Sequence, residues 1–460
     1  MMENEYLQPG GEIFDIPGSA FQAEMVSVED TTTVFDTDFD WDIQAITVPG
    51  HEGLTFVPWG ADNQLPYKII RLVGGDEVTA QNKLFNIETC YGAGLELVDK
   101  LTGLPTEDDE IEEWMERQAL PTFMLEQITD MKYYYFAVSV IILSKDGTRI
   151  NKIRHKEACY CRFQTPNKNG RIENVFYGDW RRGLPKTCEK IPLLDPYDTL
   201  ADLKQRLGLI PLDNGAMGAA TKERKFAILS RFPTAGNQFY PIPYYSAIWR
   251  GGSYDEKRLI SVGKRAKLRN STSIKYHVEV ERDYWTRICK EEHITDPKKM
   301  LDRVKKEKEN IRDFVTGIEN SGKVWISGFY VNPNGDEVRD IRINVIDQGR
   351  KEGGDWTEDI QSASNTICYA DNVHPNLVGA VPGKAQTNNS GSDKRELFTM
   401  KQALETSFKD LLLLPIRVCC RFNKYKRVRP TINMIQLTTL DKHKDAETVT
   451  TKQNRNNDND

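Results

Sequence analysis

A chain of 460 residues, 39% hydrophobic and 28% charged, has the composition of a folded protein, and its length exceeds what one hydrophobic core usually organises. We therefore expect two or three domains. No stretch approaches the roughly 20 apolar residues of a membrane span, and the acidic N-terminus lacks the basic start of a secretory signal. These features exclude a membrane partner and predict a protein made in the cytoplasm.

Cysteine and histidine residues are too few and too scattered for a disulfide framework or a metal site. The eight cysteines offer only Cys159-Tyr160-Cys161 and the adjacent pair Cys419-Cys420, and the six histidines form neither an HExxH nor an HxxxH arrangement. We expect reduced, mostly buried thiols, and neither a metal nor a cofactor.

The net charge of -6 hides an asymmetry along the chain. Residues 1–50 carry eleven acidic and no basic residues, so the rest of the chain is net positive. Basic residues cluster at 250–269, 298–312 and 417–429. One such cluster is often only a solvated helix face, but several in one chain favour a polyanionic partner.

The N-terminal part is predicted to be an acidic arm followed by helices. Residues 1–45 mix acids with aromatic residues and show no steady period, so we interpret them as an arm that packs on a neighbouring subunit. Unchanged oligomerisation after deletion of residues 1–45 would exclude that role. Turn-forming residues fill 56–66, and apolar periodicity then predicts helices at 78–91, 106–118 and 123–131.

An antiparallel β region follows, because the hydrophobic period changes to two. Strands are predicted at 133–143, 149–163, 171–177 and 226–231. Asp146-Gly147 and Asn169-Gly170 are predicted to form the hairpin turns. The polar insert at 195–220 has no predicted place in this region.

The second half of the chain is predicted to alternate helices with short β segments. A basic helix is predicted at 253–268, a strand at 273–280, and a helix that is capped by Asp296 and has Pro297 in its first turn. Strands are predicted at 324–331 and 340–346, around Asn334-Gly335. A helix at 356–370, stopped by His374-Pro375, and a long helix from Ser392 or Asp393 follow. After Leu440 the polar tail is predicted to be disordered.

No motif predicts catalysis. The segment GAVPGKA at 379–385 has three residues between its glycines instead of four, and Ala385 stands where a phosphate-binding loop needs Ser or Thr. We interpret it as a flexible loop whose amides and Lys384 face a polyanion. His374 is interpreted as a capping or packing residue, and no residue is expected to act as a nucleophile or as a general acid or base.

Two runs of sequence resemble the portal proteins of tailed bacteriophages and prophages. FVPWGADNQLP, followed by a helix at 81–94, resembles the opening of the portal core, and HPNLVGAVPGKAQTNNSGSDKREL resembles the loop and helix near its end. RHKEACYCRF, after a hairpin, resembles a strand of the portal wing. The order of elements resembles that family over residues 55–440.

The resemblance implies an α+β, portal-like fold with an antiparallel β-rich wing, a helical stem, a small β clip, a kinked helix with a tunnel loop, and a short C-terminal helical crown region. The implied parts are an acidic arm (1–50), the wing (51–240), stem helices (241–322) with the clip at 270–295, a wing return hairpin (323–353), the channel helix and tunnel loop (354–393), a C-terminal helix with a short crown-side strand (394–440) and a disordered tail (441–460).

The resemblance also implies residues for DNA passage and motor docking. The tunnel loop would contribute Lys384, Gln386, Asn388 and Asn389, the basic face of the stem Lys257, Lys264, Arg265 and Lys267, and the motor-docking clip Tyr276, His277, Arg282 and Trp285. Polar side chains with a single charge suit a channel that attracts phosphate without reading bases.

The implied function is structural and not enzymatic. A ring of identical subunits, usually a dodecamer, would lie at one capsid vertex of a virion and conduct double-stranded DNA without sequence specificity during packaging and ejection. It would dock the large terminase subunit, the major capsid protein and the tail adaptor. Two alternatives stay open: a nucleic-acid-processing enzyme, which needs clustered acids for magnesium, and another virion adaptor or structural protein, which lacks the order of stem and tunnel loop.

Overall fold

The computed structural model has an α+β fold that divides into two compact units. It describes residues 7–8, 11–12, 45–106, 108–212, 215–236, 239–270, 276–316, 328–331, 337–345, 357–378, 391–425, 427–435 and 437. The larger unit comprises Val28–Arg258 and Glu358–Asp460, and the smaller unit comprises Met1–Ser27 and Leu259–Thr357. Residues 323–353, predicted as part of the wing, therefore belong to the same unit as most of the predicted stem.

The elements up to the unit boundary alternate short strands with helices. They are β1 (Leu7–Gln8), β2 (Gly11–Glu12), β3 (Ile46–Thr47), β4 (Thr55–Phe56), α1 (Leu65–Gly74), α2 (Glu77–Tyr91), β5 (Leu95–Asp99), α3 (Asp109–Gln118), α4 (Leu120–Tyr134), β6 (Phe136–Leu143), β7 (Ile150–Lys156), β8 (Cys161–Phe163), β9 (Asn174–Tyr177), β10 (Glu189–Pro192), α5 (Thr199–Arg206), β11 (Lys225–Arg231), α6 (Ala247–Arg250) and α7 (Ser253–Asn270), which contains the boundary.

The remaining elements begin in the smaller unit and return to the larger one. They are β12 (Tyr276–Val280), α8 (Arg282–Glu291), α9 (Pro297–Thr316), β13 (Phe329–Val331), β14 (Glu337–Arg339), β15 (Ile341–Val345), α10 (Thr357–Ala370), α11 (Pro375–Val378), α12 (Gly391–Leu404), α13 (Thr406–Leu412), α14 (Leu414–Phe422) and β16 (Val428–Ile432).

Two three-stranded antiparallel sheets form the main β part of the larger unit. β6 lies between β11 and β7, and β9 lies between β10 and β8. The predicted turns at Asp146-Gly147 and Asn169-Gly170 connect β6 to β7 and β8 to β9, and the two glycines have φ values of 76° and 73°. The hairpin predictions are confirmed, since glycine tolerates the positive φ that tight hairpin turns require. The prediction that residues 226–231 extend the antiparallel β region is also confirmed.

The strand predicted at 149–163 is interrupted. A 3₁₀ turn at Ala158–Tyr160 separates β7 from β8, and these strands join different sheets. The buried Asp130 carboxylate of α4 accepts a hydrogen bond from the Ala158 N–H at 2.7 Å, and its Oδ2 lies 3.0 Å from Nε2 of His155. Burial raises the pKa of Asp130. A contact distant in sequence therefore fixes the turn.

The strand predicted to begin at Tyr133 begins three residues later. Tyr133 and Tyr134 complete helix α4, and Tyr135 ends it with a φ of 60°. The Tyr135 ring lies edge-on to Phe232 and Phe408, at centroid distances of 5.3 and 5.7 Å. These aromatic contacts stabilise a left-handed backbone that a tyrosine rarely adopts.

The long helix predicted from Ser392 is divided into α12, α13 and α14. Pro415 lies in the first turn of α14, where a missing N–H costs nothing, so it marks a new helix and not the continuation of the previous one. β16 then pairs with β5, with Ile432 opposite Leu95, and α14 shares one hydrophobic cluster with α4 and β6. Residues 406–432 thus contribute to the core of the larger unit.

The smaller unit pairs its strands differently from the prediction. β15 pairs with β12, and β13 pairs with β14; Asn334-Gly335 lies outside the described residues. Asp340, between β14 and β15, binds Arg287 of α8; its N–H donates to the Gly328 carbonyl at 3.1 Å and its carbonyl accepts from the Glu281 N–H at 3.0 Å, so it lies where the two strand pairs meet. The helix α8 is not predicted, whereas the Asp296 cap is confirmed: Oδ1 of Asp296 accepts from the Lys298 N–H at 3.0 Å.

Cysteines and His374 match their predicted structural roles. All eight cysteines are free and seven are buried, as expected of reduced thiols. Helix α10 ends at Ala370, the last residue of the predicted helix, and Asn372 turns the chain with a φ of 54° before His374-Pro375 is reached. His374 then caps α11: its Nδ1 accepts a hydrogen bond from the Asn376 N–H at 3.3 Å.

Buried ion pairs join helix α2 to segments distant in sequence. Lys83 binds the carboxylate of Asp371, which follows α10, and Asn86 donates a hydrogen bond to the Asp371 carbonyl at 3.0 Å. Asp76 caps α2 by accepting from the Thr79 N–H at 2.8 Å and also binds Lys257 of α7. Burial lowers the pKa of Lys83 to about 8, while the Asp371 charge opposes that shift.

A similar buried group holds α4 to the C-terminal helices. Lys132 binds Glu405, and Glu405 also accepts a hydrogen bond from Lys401 at 2.8 Å. Unpaired buried charge costs several kcal/mol, so these carboxylates and ammonium groups stay inside only when their partners are in place. The pairs therefore specify which segments meet.

Replacing Lys83 with Met should lower the free energy of unfolding by about 3–5 kcal/mol, because it leaves the Asp371 carboxylate buried without a partner. Adding Asp371→Asn should restore most of that loss. Denaturant unfolding of both variants measures the coupling, and equal destabilisation of the single and double variants would contradict the ion-pair account.

Candidate nucleic-acid interface

The predicted tunnel loop falls outside the described part of the chain. Lys384, Gln386, Asn388 and Asn389 lie between α11 and α12, in a segment the structure does not describe. Their DNA-facing role stays a prediction.

The predicted basic face of the stem is only partly exposed. Lys264 and Arg265 of α7 are exposed. Lys257 is 4% exposed and binds Asp76, with the Glu77 carboxylate 2.9 Å away. Lys257 therefore does not belong to an exposed basic face, and the Lys267 side chain lies outside the described residues.

The physical reason for the burial of Lys257 is the position of α7 in the larger unit. Its first turn packs there: Tyr254 is buried and donates a hydrogen bond to the Leu72 carbonyl at 2.8 Å. Lys257 and Lys264 are seven residues apart and share a helix face. Packing covers that face at Lys257 and leaves it open two turns later.

The residues predicted in the clip lie in two different elements. Tyr276 and His277 belong to β12, opposite Val345 and Asn344 of β15. Arg282 begins α8, and Trp285 follows it with a half-buried ring that lies 5.4 Å from the Tyr284 ring. The side chains of Tyr276, His277 and Arg282 lie outside the described residues, so motor docking stays a prediction for all four.

Arg303 fixes the turn between α8 and α9. Its Nε donates to the Glu292 carboxylate at 2.9 and 2.8 Å, its Nη2 donates to the same group at 2.8 Å, and its Nη1 donates to Glu307 at 2.7 Å. The guanidinium lowers the pKa of Glu292. This arginine is used internally and offers no free charge to a polyanion.

Four other basic residues of α9 are exposed. They are Lys298, Lys299, Lys305 and Lys306. Lys298 and Lys305 are seven residues apart, as are Lys299 and Lys306, and seven helical residues span about two turns, or roughly 10.5 Å. The four ammonium groups therefore lie along one side of the helix. Among the described residues, none of them has a carboxylate within 4.0 Å, although Asp302 and Glu309 lie on the same side.

These four lysines form a concentration of exposed positive charge that we name the lysine side of α9; the cluster at 417–429 also has exposed bases, Arg417, Arg421, Lys424, Arg427 and Arg429. The cluster at 298–312 was predicted as a region, but the individual lysines were not selected. Their seven-residue spacing is the signal that identifies them. Lysines arranged in this way attract phosphate and carry no information about base sequence.

No group of three or more His, Cys, Asp and Glu side chains in the described residues is arranged to hold a metal ion. No helix in the described ranges is long and apolar enough to span a membrane.

Comparison with known proteins identifies a shared fold. No family model and no curated protein matches the chain. Solved structures that match it include a chain of the virion of a native gene transfer agent particle, with a TM-score of 0.51 and 11% identity over 79% of this chain and 82% of the other.

Chains of two gene transfer agent necks match as well. The neck of the empty particle, computed with C6 symmetry, gives a TM-score of 0.51 and 11% identity over 83% of this chain and 86% of the other. The neck of the native particle, computed with C12 symmetry, gives 0.52 and 11% over 87% and 88%. The similarity extends over nearly the whole chain and establishes a common fold.

Replacing Lys305 and Lys306 with Gln should weaken binding to duplex DNA of every sequence and flatten its salt dependence. Each lysine that contacts a phosphate contributes about one unit to the slope of log K against log salt concentration. Binding isotherms at several salt concentrations measure this slope. The matched control replaces the exposed Lys168 and Lys190 with Gln, and an equal effect in both variants would show that α9 has no special role.

Proposed function

We propose that this chain is the portal subunit of a phage-like virion, a structural protein that forms a closed ring at one capsid vertex and conducts double-stranded DNA during packaging and ejection. The observation that carries the proposal is the fold shared with gene transfer agent neck chains over 83% and 87% of the sequence. Those necks were computed with C6 and C12 symmetry, which favours a ring of identical subunits for this chain too.

The order of elements favours a portal over a neck adaptor. Helices α7 and α9 enclose β12 and α8 in sequence, as expected of a stem with a clip. Helix α10 precedes residues 379–390, whose sequence resembles a portal tunnel loop. An adaptor ring would need neither feature.

The distribution of charge suits passage of DNA without sequence recognition. Lys264, Arg265 and the lysine side of α9 present exposed ammonium and guanidinium groups. In a ring, every subunit repeats each such group, so one lysine gives a circle of positive charges, which we call a girdle. A diffuse girdle attracts the phosphate backbone while leaving the DNA free to slide.

The proposal places the energy-consuming chemistry in a separate protein. The terminase large subunit would hydrolyse ATP and dock at the clip, while the major capsid protein and the tail adaptor would contact other parts of the ring. The chain itself would act by assembly, first in the host cytoplasm and then in the virion.

Quantitative mass spectrometry of purified particles tests the proposal. We expect the chain in about twelve copies per particle, matching the C12 symmetry of the related neck, and particles assembled without it should contain no protected DNA. Hundreds of copies per particle, or normal DNA content without the chain, would contradict a portal role.

Lys384→Glu tests the tunnel loop separately. The reversed charge should lower nuclease-protected DNA per particle while the chain still assembles at the vertex, because a ring of carboxylates repels phosphate. Lys186→Glu, at an exposed position of the larger unit, is the matched control. Full DNA content in both variants would show that the Lys384 charge is dispensable.

A further inference from the structure

The insert at 195–220, which has no predicted place, contains helix α5 and, after it, a segment whose two ends meet. The Thr221 N–H donates to the Arg206 carbonyl at 2.8 Å, so the chain returns to the point at which it left the helix. Inside the loop, the Leu212 N–H donates to the Ala216 carbonyl at 2.8 Å. Compact loops with joined ends frequently carry function.

This loop places apolar side chains in water. Leu209, Leu212 and Met217 are 57%, 38% and 61% exposed. An apolar loop tip that the unit does not cover indicates a contact with another molecule, and methionine adapts its shape to such contacts. We name these three residues the apolar loop.

Positive charge borders the apolar loop. Lys204 precedes it in α5 and Lys222 follows it, and within the described ranges neither ammonium group has a carboxylate within 4.0 Å. The neighbouring basic residues are used internally: Arg206 binds Asp202 at 3.0 Å, and Lys225 binds Glu189. Lys204 and Lys222 are thus available to an acidic partner.

A second exposed surface of the same unit has the opposite character. Leu101 and Leu104, in the turn after β5, are 72% and 48% exposed. Helix α3 follows this turn and presents three exposed acids at a spacing that keeps them on one side, Asp109, Glu112 and Glu116. We name these five residues the acidic surface.

The acids of this surface differ from their neighbours on the same helix. Glu110 binds Arg149 at 2.7 Å, and Glu113 binds Arg117. Within the described ranges, no lysine or arginine lies within 4.0 Å of the carboxylates of Asp109, Glu112 and Glu116. These three carboxylates are therefore available to a basic partner.

The two surfaces lie beside opposite edges of one sheet. Residues 218–224 connect the apolar loop to β11, one edge strand of the sheet. Helix α3 covers β7, the other edge: Gln118 accepts from the Ile153 N–H at 3.1 Å and donates to the Asn151 carbonyl at 3.1 Å. An arrangement of this kind presents one surface on each side of the sheet.

We propose that the apolar loop of one copy of this chain docks on the acidic surface of the next copy and forms a subunit contact of the ring. The inference rests on the proposed ring. A closed head-to-tail ring needs two different, complementary surfaces on every subunit. Here apolar side chains meet apolar side chains, and Lys204 and Lys222 face the carboxylate stripe of α3.

Disulfide trapping tests the contact directly. Subunits carrying Met217→Cys are assembled together with differently tagged subunits carrying Leu101→Cys, and mild oxidation should give a dimer that contains both tags. The native cysteines do not interfere, because seven are buried and Cys159 is half-buried. Leu184→Cys, at an exposed position of the same unit that belongs to neither surface, replaces Met217→Cys in the control and should give no dimer.

Charge exchange tests the same contact without oxidation. Lys204→Glu with Lys222→Glu should abolish ring assembly, and Glu112→Lys with Glu116→Lys in the same chain should restore it, because the reversed charges again attract. Folding is monitored by circular dichroism, and rescue distinguishes a lost contact from a lost fold.

The outcomes separate this inference from the portal proposal. Rings that form without the mixed dimer, and that tolerate the lysine reversals, would overturn the docking assignment and leave the portal function standing. A cross-link from Met217→Cys to a different virion protein would also overturn it. Absence of any ring from the wild-type particles would remove both.

Discussion

Helix α2 depends on charge pairing, and the larger unit is organised around that constraint. Its buried side presents polar side chains such as Asn82, Lys83 and Asn86, so apolar packing alone does not hold it in place. Lys257, on the segment that leaves the larger unit, and Asp371, on the segment that returns, supply the missing partners. Both connections to the smaller unit are thereby attached to one helix.

The sequence predicts local structure well where local chemistry decides it. Glycine at Asp146-Gly147 and Asn169-Gly170 sets the hairpins, and Asp296 sets a helix start. Predictions fail where a distant partner decides. Asp130 holds the turn at Ala158 that interrupts a predicted strand, and Asp340 binds Arg287 at the point where β14 ends and β15 joins β12. Those partners lie between 28 and 53 residues away, beyond the reach of periodicity or capping rules.

In the candidate interface, too, local features are predictable from sequence and features that depend on distant contacts are not. Spacing alone places Lys257 and Lys264 on one helix face, but only the packing of Tyr254 shows that one is buried and the other exposed. The exposure of the lysine side of α9 can be predicted from sequence, because lysines on a solvated helix need no partner. The exposure of the apolar loop cannot be predicted from sequence, since Leu209 and Met217 are residue types that usually lie in the core.

Ring formation is the property on which the proposed function depends. The DNA channel, the girdle of positive charge and the head-to-tail subunit contact all require a closed assembly. Negative-stain electron microscopy with mass determination on the complex released from purified particles tests it most directly. A portal function predicts closed rings of about twelve subunits with a central channel, in keeping with the C12 symmetry of the related neck. A compact dimer with magnesium-dependent activity on DNA would contradict it.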